Sequence, residues 1–209
     1  MSGTEERKSD PGQRVIDIIG VFLLSVIAVL TAWCGFQASK WGGEMSIAFS
    51  QASAARIQAA NAEGEARSAR AFDLTIYAAY VEARGDGNVQ LAEYISERFT
   101  PEFQVAYDAW VADGEVENGP FARVEYVPEG TTEAEDFSAL ADRKFEEALE
   151  NNQRGDDYSL LTVLFALVLF LTAMSQRELT PWVGRTLLGL AIVVAVIGLI
   201  ILTTFPIRI

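Results

Sequence analysis

The side chains that most often carry enzyme chemistry are nearly absent from this chain. It contains no histidine and a single cysteine, Cys34. Because the commonest general base and metal ligand is missing, no Ser-His-Asp or Cys-His arrangement can form. A single cysteine also allows no disulfide within the chain, and its apolar helical surroundings indicate packing rather than reactivity. These absences predict that the protein is not an enzyme.

Carboxylates are the reactive groups that the chain does have in number. A cluster such as Glu133, Glu135 and Asp136 lies in helical sequence, where it is typical of a solvated helix face. Weak binding of Ca²⁺ or Mg²⁺ is the alternative, but the spacing does not match an EF-hand loop. No CxxC, HExxH or P-loop pattern occurs. The sequence therefore predicts no catalytic residue, no cofactor and no resident metal.

The negative charge is segregated from the apolar residues. The chain has a formal net charge of -13, and residues 38–157 alone contain 24 acidic and 10 basic residues. An acidic region of this size repels phosphates, so we expect no nucleic-acid partner.

Three apolar runs are long enough to cross a bilayer, and they lie at residues 15–37, 158–175 and 183–205. At about 1.5 Å per residue, the first covers a hydrocarbon core about 30 Å thick. A cleaved signal peptide is the rival interpretation, but the apolar run is long and lacks a cleavage site. The second and third runs are joined by a short loop and predict a helical hairpin. The lipid bilayer is therefore an expected partner.

Asp17 is the only carboxylate within these three runs. A charge inside a membrane segment is a functional hypothesis by default, here a polar role in transport or gating. The alternative is that Asp17 lies one turn from the interface and reaches water.

Basic residues near the runs predict the topology. Arg7, Lys8 and Arg14 precede the first run, and Arg177 lies in the hairpin loop. This bias favours a multi-pass protein of a bacterial inner membrane with a cytoplasmic N-terminus. Residues 38–157, as an acidic periplasmic domain, and the C-terminus would then lie outside.

The remaining pattern predicts an all-α fold in which a helical extramembrane insert separates the first and second of three transmembrane helices. Residues 1–14 are polar and predict a disordered tail. The insert should begin with a long Ala-rich helix that continues the first span to about residue 83. We expect short helices at 88–99 and 101–113, a loop at 114–131 with a short strand at 123–127, and a return helix at 132–152.

The Ala-rich helix shows a heptad pattern typical of a close-packed coiled-coil seam. One flanking column is Gln or Glu in five successive heptads. The alternatives are a solvated spacer, or alanine present only because it favours helix. The helix against the seam could be the return helix or a second copy of the chain. The seam positions are Ala48, Ala52, Ala55, Ala59, Ala62, Ala66 and Ala69.

A ridge of small residues precedes the seam. Thr31, Gly35, Ser39 and Gly43 recur at every fourth position, which favours close approach of another helix inside a membrane. Ala191 and Ala195 form a similar pair in the third run. Ordinary use of small residues in spans is the alternative.

The stretch TAWCGFQASKW at 31–41 and the hairpin at 158–205 carry a resemblance. Their layout is similar to that of an uncharacterised bacterial three-span membrane protein family of unknown function. The resemblance implies the architecture above and no catalytic or binding residue.

These patterns predict an integral membrane protein with a structural or interaction role. It would self-associate as a homo-oligomer, or bind a membrane protein partner, through its Ala-rich helix. The alternative is a channel or transporter component whose pore is lined by Ser25, Thr31, Ser39 and Asp17.

Overall fold

The computed structural model describes residues 11–116, 118–177 and 180–208. Within these ranges the fold is all-helical and contains no strand, which confirms the predicted class. The five α-helices are α1 (Pro11–Gly85), α2 (Val89–Ser96), α3 (Pro101–Ala112), α4 (Thr131–Ser175) and α5 (Pro181–Thr204). By length and composition, α1, α4 and α5 could each cross a membrane, which fits a multi-pass membrane protein.

The chain divides into two compact units, and α1 and α4 contribute residues to both. The first, called here the apolar unit, comprises Met1–Ala48 and Glu147–Ile209. The second, called the acidic unit, comprises Phe49–Glu146.

The apolar unit has a core formed by α1, α4 and α5. Tyr158, Phe165 and Val168 of α4 are fully buried between Cys34 of α1 and Ala191 of α5. Ala195 lies one turn after Ala191 and is also in this core. The small pair of the third run therefore packs inside the chain.

The acidic unit has an aromatic core instead. Phe103 has ring contacts with Phe99, Tyr107, Phe121 and Tyr126, at centroid distances from 4.7 to 6.4 Å. Two of these four pairs, with Phe99 and with Tyr126, are edge-to-face, an arrangement that ring quadrupoles favour. A few large rings thus provide the burial that short helices could not obtain from aliphatic residues.

Local signals explain where the helices of this unit begin and end. Gly87 has φ +71, and the amides of Gly87 and Asn88 bond back to the carbonyls of Arg84 and Ala83. This Schellman arrangement ends α1. The hydroxyl of Thr100 accepts from the Phe103 amide at 3.3 Å and caps the start of α3.

The return helix at 132–152 and the second span at 158–175 were expected as separate helices, and this expectation is wrong. They form the single helix α4, which continues through Gly155. Gly155 lies against α1, because a Cβ there would be 3.5 Å from the Ala38 carbonyl oxygen. Side-chain bonds from Asn152 to Asp156 and from Gln153 to Asp157 further support the helical turn.

Other predicted boundaries also need correction. Residues 1–10 of the expected tail lie outside the described residues, but residues 11–14 are helical. No strand forms at 123–127, because the loop folds as a 3₁₀ turn at Pro120–Ala122 followed by further turns. The acidic unit, Phe49–Glu146, lies within the predicted insert at 38–157, whose membrane boundaries stay a prediction. Elsewhere the helix ends differ from the predictions by at most three residues, and the start of α3 and the end of α4 coincide with them.

Candidate functional site

The alanine seam is the face of α1 that points into the protein. Four of its residues are at most 4% exposed, and three are half-buried. By contrast, Ala54 and Ala60 on the same helix are exposed. The buried four are Ala48, Ala52, Ala55 and Ala62, and the half-buried three are Ala59, Ala66 and Ala69.

Within the acidic unit, the chain's own return segment lies against this seam. A Cβ on Gly130 would be 2.6 Å from the carbonyl oxygen of Ala62 and 3.2 Å from the amide nitrogen of Ala66. At the other end of the unit, the Phe49 and Phe145 rings meet edge-to-face at 5.5 Å. Within the described residues, the segment of the same chain at the start of α4 therefore lies against the seam, and contact of the seam with a second copy stays a prediction.

The small-residue ridge lies on a different side of α1. Gly35, Ser39 and Gly43 are exposed, and Thr31 is half-buried. A Cβ at Gly35 or Gly43 would have no described atom outside its own helix backbone and chain neighbours within 4 Å. At 100° per residue, Gly35 is about 100° around the helix from the buried Cys34. The ridge is therefore an outward surface of the apolar unit.

Asp17 shares this outward side of α1. It is exposed, and it precedes Gly35 by 18 residues, which is about five helical turns. Ser25 and Thr31 also lie near this side, but their hydroxyls donate to the carbonyls of Val21 and Ile27 in the preceding turn. Such bonds occupy the hydroxyl protons within the helix.

A buried carboxylate that the sequence analysis did not single out lies at the centre of the acidic unit. Asp73 is 1% exposed. Its two oxygens accept from the Thr100 hydroxyl at 2.7 Å and from the Tyr126 hydroxyl at 2.8 Å. These bonds replace the water that the carboxylate loses, and they tie α1 to α3 and to the loop before α4.

The tyrosine hydroxyls of the aromatic core are held in their protonated form. Burial and then the hydrogen bond to Asp73 raise the pKa of Tyr126 well above its usual range. Burial and the 2.5 Å contact with the Tyr80 hydroxyl raise the pKa of Tyr107 in the same way. Neither group is available as a base near neutral pH. These hydrogen bonds therefore satisfy the buried hydroxyls and stabilise the unit.

The C-terminal segment of the apolar unit is fixed to α1 by a buried amide. Gln37 is fully buried, and its side chain donates to the Arg208 carbonyl at 2.9 Å and accepts from the Arg208 amide at 3.0 Å. The Tyr158 hydroxyl donates to the Pro206 carbonyl at 3.0 Å. Gln37 and Tyr158 thus satisfy backbone groups that follow the end of α5.

A groove with three arginines runs along α1 in the acidic unit. Its volume is about 710 Å³, within the usual range for ligand sites. Arg56 and Arg70 lie over the rings of Phe145 and Tyr126, 5.1 and 5.8 Å from the ring centroids. Arg67 also lines the groove.

Metal binding was weighed for the acidic clusters, including Glu133, Glu135 and Asp136. Among the residues that the structure describes, no group of three or more potential metal ligands is close enough to hold an ion.

Comparison with protein-family models, with curated protein sequences and with solved structures finds no match to this chain.

The heptad pattern contained a signal for the missed carboxylate. Continuing the seam column from Ala66 by seven residues reaches Asp73, and by seven more it reaches Tyr80. Both are buried. A charged residue at the next position of a buried column predicts a carboxylate that needs internal donors.

Proposed function

We propose that this chain is an integral membrane protein with a structural or interaction role, and that it associates with a second copy through the small-residue ridge. One observation carries the proposal: Gly35 and Gly43 face outward, with room for a neighbour. Thr31 and Gly35 lie in the predicted span at 15–37, where helices gain little from burying apolar side chains and close backbone packing drives association. Ser39 and Gly43 continue the same surface just past this span. Small residues at every fourth position permit that approach.

The seam is a poorer surface for association than the ridge. Its alanines are already covered within one chain, so a second copy could reach them only after α4 had moved away. We therefore assign the contact between copies to Thr31, Gly35, Ser39 and Gly43. A different membrane protein with a matching ridge is the other partner that this surface would accept.

The proposed placement has a cytoplasmic N-terminus, with residues 38–157 and the C-terminus outside. The support is the number of basic residues before the first span and in the hairpin loop. Reporter fusions at residues 8, 120, 179 and 209 test it. Activity of a cytoplasmic reporter at 8 and 179, and of an external reporter at 120 and 209, is the expected result.

Cysteine crosslinking tests the ridge. In a Cys34→Ala background, Gly35→Cys or Ser39→Cys should form disulfide-linked dimers in native membranes. Val26→Cys is the matched control, because Val26 is exposed but lies half a helical circumference away from Gly35. Native mass measurement in nanodiscs should show dimers for the unmodified chain. Strict monomers, or equal crosslinking at Val26 and Gly35, would remove the proposal.

A channel or transporter component is the second candidate. Asp17, Ser25, Thr31 and Ser39 lie near one side of α1, so association through the ridge would bring them toward the contact between copies. Asp17→Asn should then change ion flux through reconstituted vesicles at equal protein level. Flux no greater than that of empty vesicles would exclude this function.

A further inference from the structure

The arginine-lined groove differs in charge from the rest of the acidic unit. The acidic unit contains 19 acidic and 8 basic residues, yet three of those eight basic residues line this one groove. The lining also includes two glutamates, Glu63 and Glu135. The groove is thus locally basic within a unit whose formal net charge is -11.

The guanidinium groups are placed to bind an anion. Arg56 and Arg70 are each supported on the face of a ring, which orients the planar group and leaves its N–H edge available. Arg67 is 4.0 Å from Glu63, and both side chains are well exposed. An exposed pair of this kind contributes about 1 kcal/mol or less, so an incoming carboxylate can replace it.

The spacing of the arginines distinguishes a small anion from an extended peptide as the ligand of the groove. Arg56 and Arg70 are 14 residues apart on α1, which is about 21 Å at 1.5 Å per residue. A phosphate ion or other small anion reaches only one end of this length. An extended peptide rises about 3.3 Å per residue, so six residues cover about 20 Å.

The walls of the groove fit an extended chain. Ala59, Ala60 and Ala66 form one side and allow a peptide backbone to come close. Pro128 lines the groove as well and offers apolar surface to the residues between the acidic ends. Screening at physiological salt has a length of about 8 Å, so carboxylates farther than this from the groove repel an acidic ligand only weakly.

We propose that this groove binds an extended acidic segment of a partner protein, with acidic side chains about six residues apart contacting Arg56 at one end and Arg67 and Arg70 at the other. The carboxylates would form charge-assisted hydrogen bonds with the guanidinium forks. This binding is independent of association through the ridge, because it uses only the acidic unit.

Fluorescence anisotropy tests the proposal with the full chain in phosphatidylcholine nanodiscs. The probe is a rhodamine-labelled seven-residue peptide with glutamate at both ends and alanine and proline between. It should bind with a Kd below about 1 mM, whereas the same peptide with glutamine at both ends should not bind. Absence of saturable binding by the glutamate peptide overturns the proposal.

Substitutions locate the binding. Arg56→Gln and Arg70→Gln should each raise the Kd for the glutamate peptide about five-fold or more. Arg143→Gln is the matched control, because Arg143 is exposed on α4 and outside the groove lining, and its loss changes the net charge equally. Circular dichroism should show unchanged helix content in all three variants. An equal loss of peptide affinity in the Arg143→Gln variant would show that net charge alone causes the effect. It would overturn the assignment of peptide binding to the groove.

Inorganic phosphate separates the two ligand classes. At concentrations in the low millimolar range it should displace little of the peptide, because it can occupy one end only. Complete displacement at that concentration would identify a small-anion site and overturn the peptide assignment. Native mass measurement of the same nanodisc sample shows separately whether the chain associates, so the two proposals fail independently.

Discussion

Two stretches of α1 are rich in small residues, and the structure treats them differently. At Ala52, Ala55 and Ala62 the small side chains are buried within the acidic unit. At Gly35 and Gly43 the small residues face outward from the apolar unit. Small size at regular spacing therefore shows that a neighbour can come close, but it does not show whether that neighbour belongs to the same chain.

The difference comes from what the rest of the chain places opposite each stretch. The buried stretch faces Gly130, whose φ of +87 and contact with Ala62 require a residue without a side chain. Gly35 and Gly43 have no such counterpart among the described residues. Adding bulk should therefore affect folding at the first stretch and association at the second.

Gly130→Ala should have the largest effect on folding. The left-handed conformation and the 2.6 Å approach to the Ala62 carbonyl oxygen should together lower the free energy of unfolding by about 3–4 kcal/mol. Gly64→Ala on α1 is the control, because a Cβ there meets nothing within 4 Å; it should stabilise by up to about 1 kcal/mol. Thermal unfolding in detergent, followed by circular dichroism, measures both. Similar midpoints for the two variants would contradict the tight contact.

Ala55→Leu should destabilise by about 2–3 kcal/mol, since Ala55 is 3% exposed and the larger side chain must displace packed neighbours. Ala54→Leu adds the same atoms next door on an exposed face and should change stability by about 0.5 kcal/mol or less. Denaturant titration of the two variants gives the comparison. If the Ala54→Leu variant were less stable than the Ala55→Leu variant, the assignment of the buried face would be wrong.

Gly198→Ala tests close packing within the apolar unit. A Cβ there would be 2.7 Å from Cε1 of the buried Phe165 ring, so overpacking exceeds the gain in helix propensity. The net loss should be about 1 kcal/mol. Gly189→Ala, in an open position on the same helix, should gain about as much instead. Unfolding in mixed micelles with increasing SDS measures the stability of both variants. Equal changes in the unfolding midpoint would show that α4 and α5 are not in tight contact at Gly198.

Gly35→Leu should have the smallest effect on unfolding, within about 1 kcal/mol, because Gly35 is exposed and a Cβ there meets no atom of the described residues within 4 Å. Its effect should be on association, since bulk at the ridge keeps two helices apart. Native mass measurement should show fewer dimers than for the unmodified chain. Unchanged dimers would place the contact elsewhere, and a large loss of stability would show that the ridge packs within the chain.

Periodicity predicted the helical class and the long continuous α1, because helix-forming residues run without a strong break to the Gly-rich turn at 85–87. It failed between the return helix predicted at 132–152 and the span predicted at 158–175, where the structure has one helix that continues through Gly155. The structure uses that glycine for a close approach to Ala38 instead. A glycine permits either a turn or a close contact between helices, because it has no side chain. Which of the two occurs depends on the helix that lies next to it.

The sequence by itself also determined the apolar helices and the distribution of charge, because both depend on residue type and local spacing. The tertiary structure alone decided three things that require distant residues to meet. It placed the return segment on the alanine seam, it brought Thr100 and Tyr126 to the buried carboxylate of Asp73, and it gathered Arg56, Arg67 and Arg70 with Tyr126 in one groove. Each is a contact between segments far apart in the chain, and helical periodicity carries no information on which distant segment will be opposite.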